Sequence, residues 1–289
     1  MILILIRVYR RWRERREDVA HVSGDSPAAR GPLALLAHEA KYELIASWRN
    51  PRARFFTFFF PLILLAIFAG VFGDGTTTVD GVRVHLSRFY VPGILAMSIV
   101  TAAYGNLVIS MSAARESGIL KRRRATPVPA ATLVASKALS TLATTVAMSV
   151  LLLVIARIGW GVGFPAGALA AIACAVVFGS LAFACLGYAV SGLIGNPDAA
   201  QPIVQATMMP LYFISGVWIP TDQLPHGLRN IAQVFPIEHL ANAMHVASVH
   251  GSFGRAFSPG DLLSLAVWAA AGAAFAARRF SWLPSSATA

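Results

Sequence analysis

Charged residues are scarce in this sequence. They make up 13% of its 289 residues, about half the share found in an average soluble domain. Hydrophobic residues account for 56%, and the mean hydropathy is +0.64. So few charges cannot cover the surface of a water-soluble protein of this length, and a chain this hydrophobic is not disordered. The composition therefore predicts an integral membrane protein.

Acidic residues and cysteines are also few. Only 13 Asp and Glu stand against 24 Lys and Arg, which gives a net charge of +11. The two cysteines, Cys174 and Cys185, would lie about 16 Å apart along one helix, which is too far for a disulfide. No spacing of Cys and His resembles a zinc site. We expect neither a disulfide framework nor a metal centre.

Several catalytic and nucleotide-binding motifs are missing. The sequence has no GxxxxGK[ST] phosphate loop, no HExxH and no GxSxG in a suitable context. Its long apolar runs contain no pair of Asp or Glu residues, which ion-coupled transporters usually need in mid-membrane. The chain is therefore not expected to be an enzyme. A channel, or a permease driven by a separate ATPase, remains.

Long apolar runs are what the sequence does have. A bilayer is crossed by about 20 apolar residues in a helix, and runs of this kind predict six transmembrane helices, at about 55–73, 89–112, 138–156, 166–194, 200–219 and 262–280. Gly159, Gly161, Gly163 and Pro165 break one longer run between the third and fourth spans. The fold class predicted is an all-α integral membrane protein with six transmembrane helices.

The basic residues are distributed unevenly between the predicted loops. The segment up to Arg54 holds eleven Lys and Arg, and the loop between spans two and three holds six against one acid. On the other side, Arg83 and Arg88 are offset by Asp74 and Asp80, and Arg157 stands alone. The positive-inside rule then puts both termini in the cytoplasm. We predict a multi-pass protein of the cell inner (plasma) membrane, with no need for a nucleic acid partner.

Two segments precede the first span. Residues 1–31 are read as an accessory basic cytoplasmic tail, either a surface helix on anionic lipid or a poorly ordered extension. Residues 32–289 then form the transmembrane domain. In residues 32–50 apolar side chains recur every four positions, which predicts an amphipathic interfacial helix that starts at Pro32 and ends before Pro51; these side chains are Leu36, Ala40, Leu44 and Trp48.

The segment between spans five and six, residues 220–260, is long for a loop. It holds Pro220, Pro225 and Pro236 and apolar residues at helical spacing, which predicts two short re-entrant helices in the outer leaflet. Pro236, Glu238 and His239 start the second helix. Glu238 is either a functional acid at membrane depth or a carboxylate favoured by the helix dipole.

The spans offer a few polar or soft side chains for a translocation path. Apolar walls with scattered polar groups suit an amphipathic or lipid-like cargo. These candidates are explained as well by helix packing; they are Asn106, Ser110 and Met111 on span two and Gln205, Met208, Met209 and Tyr212 on span five.

The loop after span two reads ARESGILKRRRATPVPAATLVASK. Its residues alone leave two explanations open. The basic run is either a topogenic loop or a short docking helix for a cytoplasmic partner. The Thr-Pro-Val-Pro stretch ends any helix there.

Three segments together resemble one family. They are WRNPRARFFTFFFPLILLAIFAGVFG, then YVPGILAMSIV with the loop just quoted, and MMPLYFISGVWIPTDQLPHGLRNIAQVFPIEHLANAMH. Their order and spacing resemble permease subunits of ABC transporters of the type-2 exporter class, which includes the daunorubicin-resistance permeases. The resemblance covers about residues 32–283. Residues 1–31 and the strongly basic run at 122–124 depart from it.

The resemblance implies a half-transporter that pairs with a second permease, as a homo- or heterodimer, and with two copies of a separate ABC ATPase subunit. ATP and magnesium would bind that partner, and this chain would need no cofactor. The loop would carry an ATPase-coupling helix whose residues are Arg115, Glu116, Gly118, Lys121, Arg122, Arg123 and Arg124. The cargo implied is a drug-like or amphipathic compound. The alternatives are a lipid, glycolipid or polysaccharide exporter of the same class, or a membrane scaffold or channel without an ATPase.

Overall fold

The computed structural model describes residues 32–120, 130–250 and 252–279. The first part contains α1 (Pro32–Arg49), α2 (Pro51–Val71), β1 (Thr76–Val79), β2 (Val82–His85) and α3 (Leu86–Glu116). The second part contains α4 (Ala130–Trp160), α5 (Ala166–Ser191), α6 (Pro197–Ile214), α7 (His226–Ala232), α8 (Pro236–Val249), α9 (Phe253–Ala256) and α10 (Pro259–Arg279). Helix thus dominates these residues, which confirms the all-α class.

Five helices of the described chain are long and apolar enough to cross a membrane: α2, α3, α4, α5 and α10. The predicted fifth span corresponds to α6, which has 18 residues and would extend about 27 Å. It does not belong to this apolar set, because Asp198, Gln201 and Gln205 lower its hydropathy. A count of six spans therefore stays a prediction that depends on α6.

The junction between α1 and α2 is built by the sequence Arg-Asn-Pro. Asn50 has an extended backbone, and its side-chain oxygen accepts hydrogen bonds from the backbone N–H groups of Arg52 and Ala53, at 3.1 and 3.2 Å. Pro51 occupies the first helical position, where its missing N–H costs nothing. The predicted end of this helix before Pro51 is confirmed, and the helix extends from Pro32, the first residue that the structure describes.

The two ends of the bundle differ. Since α2 starts beside α1 and ends beside β1, we call these the α1 end and the hairpin end. The hairpin turns at Asp80 and Gly81, both with positive φ (47° and 74°), and pairs Val79 with Val82. Such a pair of residues suits a tight hairpin turn. The sequence analysis did not predict this hairpin, although alternating residues around Asp-Gly are its usual signal.

Helix α3 forms the centre of the bundle. Most of its apolar stretch is buried, whereas α2 is largely exposed, and Val91, Ile94 and Leu95 have no exposed surface. Along α5, the last helix approaches so closely that a Cβ at Gly272 would lie 3.0 Å from the Cys185 carbonyl carbon. Small residues allow such close contact between helices in a membrane. The exposed face of α2 is left for lipid or another subunit.

Two helices contain a π-helical turn, at Phe55–Phe59 in α2 and Thr101–Gly105 in α3. These turns contact each other. Just beyond the second turn, Asn106 Nδ2 donates to Thr57 Oγ1 at 2.7 Å. Single π-helical turns often occur at functional sites.

The segment between α6 and α10 folds mostly as helix, as its apolar spacing predicts. It contains α7, α8, the short α9 and a 3-10 turn at Thr221–Gln223. Leu240 and Met244 of α8 are fully buried, whereas Leu228 and Ile231 of α7 are largely exposed. Helix α8 packs against α3, α5 and α10. Two helices of the predicted kind are present, and their depth in a bilayer stays a prediction.

Candidate functional site

Helix α6 meets the second half of α3 through hydroxyl groups. Tyr212 Oη lies 3.5 Å from Thr101 Oγ1, and Tyr104 Oη lies 3.3 Å from Thr207 Oγ1. Both α3 partners belong to its π-helical turn. Sequence reasoning missed Thr101, Tyr104 and Thr207, because apolar runs contain many such residues and none carries a local signal.

The α6 candidates for a translocation path divide between two faces of the helix. Met208 and Tyr212 are one turn apart and buried in the core cluster. Gln205 and Met209, also one turn apart, are exposed. The exposed pair is therefore the part of this set that a cargo or a second permease can reach directly. The buried pair would act only by way of the contact with α3.

The three translocation-path candidates on α3 contact other residues of the same chain. The Asn106 amide donates to Thr57, as described above, and Ser110 Oγ donates to the Leu107 carbonyl at 3.2 Å. Met111 packs against the small cluster of Leu107, Ala184 and Tyr188. The structure thus brings α3 and α6 together but does not gather all seven candidates around one cavity.

Arg115 connects α3 to the end of α5. Its Nη1 donates to the Ser191 carbonyl at 3.1 Å, and its Nη2 donates to the Ile194 carbonyl. These carbonyls lie at or just beyond the C-terminus of α5, where backbone oxygens have lost their helical partners. The guanidinium is buried. We call this contact the Arg115 clamp.

The chain turns immediately after the clamp. Helix α3 ends at Glu116, which is half-buried, and Gly118 has φ of +69°, a value that glycine adopts readily. Leu120 is buried. The remaining coupling candidates, Lys121, Arg122, Arg123 and Arg124, lie outside the described residues.

An ion pair connects α1 to α4 at the same end. Lys137 Nζ lies 3.0 Å from Glu43 Oε2, with side chains only 18% and 11% exposed. Lys137 lies just before the predicted third span, and Glu43 lies within α1. Their pairing was not predicted, since 94 residues separate them.

At the hairpin end, His239 is the centre of a polar network. Its Nδ1 lies 2.8 Å from Asp261 Oδ1, and its Nε2 donates to the Gln233 carbonyl at 3.0 Å. Asp261 also accepts from Asn242 Nδ2 at 2.8 Å and from Ser258 Oγ at 2.5 Å. The network therefore joins α8 to the start of α10.

The hydrogen-bond partners in this network determine which of its side chains are protonated. Both ring nitrogens of His239 face acceptors, which favours the protonated ring. The hydrogen bond to Asp261 accordingly raises the pKa of His239. Burial raises the pKa of the Glu238 carboxyl, although the nearby imidazole opposes it. Pro236 is buried in the first turn of α8.

The same three side chains have a spacing that a metal ion could use. Ligand atoms of Glu238, His239 and Asp261 lie within 4.8 Å of one another. Both ring nitrogens of His239 are already hydrogen-bonded within the network. A histidine that binds a metal ion needs one ring nitrogen without a proton. An ion pair stabilised by hydrogen bonds accounts for the group.

His245 lies nearby and differs from His239. Its Nε2 donates to the Gly216 carbonyl at 2.9 Å, and its ring stacks on Phe89 with centroids 4.5 Å apart. The ring is deeply buried, and burial lowers the pKa of His245 to about 4. It is thus a neutral imidazole that holds α8 against α3 and the turn after α6.

Comparison with known proteins agrees with this architecture. The profile that describes the ABC-2 type transporter family matches residues 36–248. The chain is 29% identical over 211 residues to "Daunorubicin resistance ABC transporter permease protein DrrB1" of Streptomyces coeruleorubidus, covering 67% of both chains. It is 28% identical over 156 residues to "Probable multidrug ABC transporter permease YbhR" of Escherichia coli strain K12, covering 53% of this chain and 42% of that protein.

The family profile spans α1, the hairpin and the bundle as far as α8. That stretch includes the Arg115 clamp, the α3–α6 contacts and the His239 side of the polar network. The resemblance carried by three sequence segments is thereby confirmed, and so is the prediction of a transporter subunit rather than an enzyme. The chain is a multi-pass membrane protein that belongs to the ABC-2 type transporter family.

Proposed function

We propose that this permease exports a drug-like or amphipathic compound and is powered by two copies of a separate ABC ATPase. A second permease, identical or different, completes the assembly. The observation that carries the proposal is the family match over residues 36–248. The names of the daunorubicin-resistance and multidrug relatives favour a drug-like cargo. ATP and magnesium act on the partner chain.

The Arg115 clamp supports an ATPase contact in the loop after α3. Its two hydrogen bonds fix the end of α3 to the end of α5. The chain then enters the basic run at 121–124. A load applied to that run is therefore transmitted to two spans together. This is the property a coupling element needs, because coupling requires the two sites to bias one structural change.

Co-purification tests the ATPase contact. The full chain is co-expressed with an ABC ATPase subunit from the same organism, and the tagged permease is isolated in mild detergent. Arg122→Glu/Arg123→Glu should lose most of the bound ATPase, whereas Arg278→Glu/Arg279→Glu, an equal charge change near the other terminus, should keep it. Full retention of the ATPase by the first variant, or no ATPase with the unaltered chain, would reject the contact and favour a scaffold or channel.

A transport assay tests the cargo. Inverted vesicles that contain the complex should accumulate a fluorescent amphipathic drug when ATP is supplied, and should not do so with a hydrolysis-deficient ATPase. Transfer of a labelled phospholipid or glycolipid without drug accumulation would instead favour the lipid-exporting alternative. The two results separate because each uses its own labelled cargo.

The orientation proposed is with both termini in the cytoplasm of the cell, in its inner membrane. The excess of Lys and Arg before residue 54 and in the loop after α3 supports it. In a Cys174→Ser/Cys185→Ala background, Ser286→Cys should react with a membrane-impermeant maleimide only after cells are permeabilised. Labelling of intact cells would reverse the assignment.

A further inference from the structure

A large cavity at the hairpin end is lined by three arginines and by no acidic side chain. Its volume is about 940 Å³. Arg83 comes from β2, Arg88 from the first turn of α3, and Arg157 from the last turn of α4. Three cations from separate elements thus converge at one place.

These arginines stand on the side where the positive-inside rule expects few. In the sequence, Asp74 and Asp80 offset Arg83 and Arg88. In the fold, Asp80 instead pairs with His250, at 2.8 Å, and Asp74 does not line the cavity. The positive charge of the cavity is therefore not neutralised by the acids nearest to it in the sequence.

Hydrogen bonds within the chain hold two of the three guanidinium groups. Arg88 donates from Nε and Nη2 to the Ser248 carbonyl, at 3.1 and 2.7 Å, and lies 5.7 Å from the Phe164 ring centroid. Arg83 Nε donates to Thr76 Oγ1 at 3.2 Å. The third guanidinium, that of Arg157, lies against Gly163, where a Cβ would be 2.1 Å from Nη1 of Arg157. The fold thus brings three cationic groups to one place.

The cavity also lies where helices of the apolar set end, which is where a membrane that they cross would have its surface. Its lining includes the end of α4, the start of α3 and the residues just before α5, so three apolar helices terminate around it. Trp160, a residue type enriched at membrane–water interfaces, belongs to the lining. One part of the wall is aliphatic and consists of Leu153, Val154, Ile158 and Leu169, of which Val154, Ile158 and Leu169 are exposed.

We infer that this cavity binds the phosphate headgroup of an anionic glycerophospholipid, with the acyl chains along the aliphatic wall. Arginine side chains recognise phosphate through charge-assisted and often bidentate hydrogen bonds. The aliphatic wall distinguishes a lipid from a free anion, because a small solute would leave it exposed. The inference rests on the proposed function in one respect only: the proposed orientation of the chain decides which leaflet supplies the lipid.

Lipid retention tests the site. The full chain, with any partner that co-purifies, is placed in nanodiscs of equal phosphatidylglycerol and phosphatidylcholine, released into detergent, and its bound lipids are counted by native mass spectrometry. Phosphatidylglycerol should be retained preferentially. Since one surface cation attracts anionic lipid about fivefold, Arg83→Gln/Arg157→Gln should reduce the preference by roughly tenfold or more.

Arg255→Gln is the matched control, because Arg255 is exposed near the same end but does not line the cavity. It should keep the preference, and Arg157→Lys, which keeps the charge, should keep most of it. Should the double variant not elute as a single species, Gly163→Ala provides a second test, and it should lower the preference by displacing Arg157.

Three results would overturn the inference: no preference in the unaltered chain, equal preference in the double variant, or complete competition by inorganic phosphate at matched ionic strength. The last result would assign the cavity to a small anion. The assay needs no ATPase. A chain that binds the ATPase but not phosphatidylglycerol refutes only this site, and the reverse refutes only the coupling proposal.

Discussion

Lys137 of α4 and Glu43 of α1 are ion-paired at 3.0 Å in a largely buried position. Helix α1 has its most extensive helix contact with α4. The pair therefore attaches the interfacial helix to a membrane-crossing helix through charge as well as packing. Desolvated charges are costly when one partner is removed.

The Lys137–Glu43 ion pair predicts how a single and a double variant should rank in stability. Lys137→Met should lower the free energy of unfolding by about 2 kcal/mol, because the largely buried Glu43 carboxylate loses its ion pair with the Lys137 ammonium. Lys137→Met/Glu43→Gln should recover part of that loss. Thermal unfolding of the purified chain in detergent measures both. Additive losses in the double variant would show that the two charges do not interact.

The Arg115 clamp requires a guanidinium. Arg115→Lys keeps the charge but loses the fork that reaches two carbonyls. We expect it to cost about 2 kcal/mol of stability and to lower the ATPase activity of the assembled complex. Arg255→Lys, an exposed site, serves as the control and should change neither. Unchanged melting and activity in Arg115→Lys would mean that a single contact suffices.

His239 predicts a loss of stability with rising pH. Its pKa is raised above 6.5 in the folded chain, so its contribution is complete below pH about 6.5 and is lost as pH rises through the folded pKa. His239→Gln should therefore destabilise the chain most at mildly acidic pH and least at alkaline pH. Melting temperatures across pH, compared with the unaltered chain, give this difference. A difference that does not vary with pH would refute it.

His245 predicts that stability falls as the pH is lowered, which is the opposite of the dependence predicted for His239. Burial lowers its pKa to about 4, so the folded chain favours the neutral ring and loses stability as pH falls from about 6.5 toward 4. His245→Gln keeps a donor for the Gly216 carbonyl and should flatten this acidic limb. It should also show a constant loss from the missing stack on Phe89. An unchanged acidic limb would assign the titration to another group.

Gly93 marks a contact that tolerates no side chain. A Cβ there would lie 2.4 Å from the Val217 carbonyl oxygen, whereas a Cβ at Gly70 would meet nothing within 4 Å. Gly93→Ala should therefore cost about 1–3 kcal/mol by forcing the turn after α6 away from α3. Gly70→Ala should be neutral or slightly stabilising, because alanine favours helix. Equal melting temperatures for both variants would contradict the close contact.

Sequence reasoning succeeded where the determinants are local. The cap at Asn50 and Pro51 uses neighbouring backbone groups, and the break between α4 and α5 is made by residues within the break, with Gly161 at φ of +65°. Hydropathy likewise depends on consecutive residues, which is why five membrane-crossing helices could be anticipated.

It failed where partners are distant in the chain. The clamp bonds Arg115 to backbone carbonyls more than 70 residues away, and a backbone oxygen has no identity in a sequence. In the sequence, Lys137 resembles an ordinary charge at a span edge and Glu43 an ordinary charge of an amphipathic helix. The π-helical turns have no residue signature, because they depend on how α2 and α3 contact each other. The family resemblance nevertheless identified the class correctly.

The π-helical turn of α3 bears on how an insertion can be tolerated in a helix. Such a turn carries one residue more than the α-helical turn it replaces, whereas a residue added to a regular helix would rotate everything after it by about 100°. The wider turn at Thr101–Gly105 absorbs the extra residue, so the helical segments on either side of it keep nearly the same facing. Asn106 can therefore face Thr57, and Arg115 can face the α5 carbonyls. The change is confined to the turn itself, where Thr101 and Tyr104 contact α6.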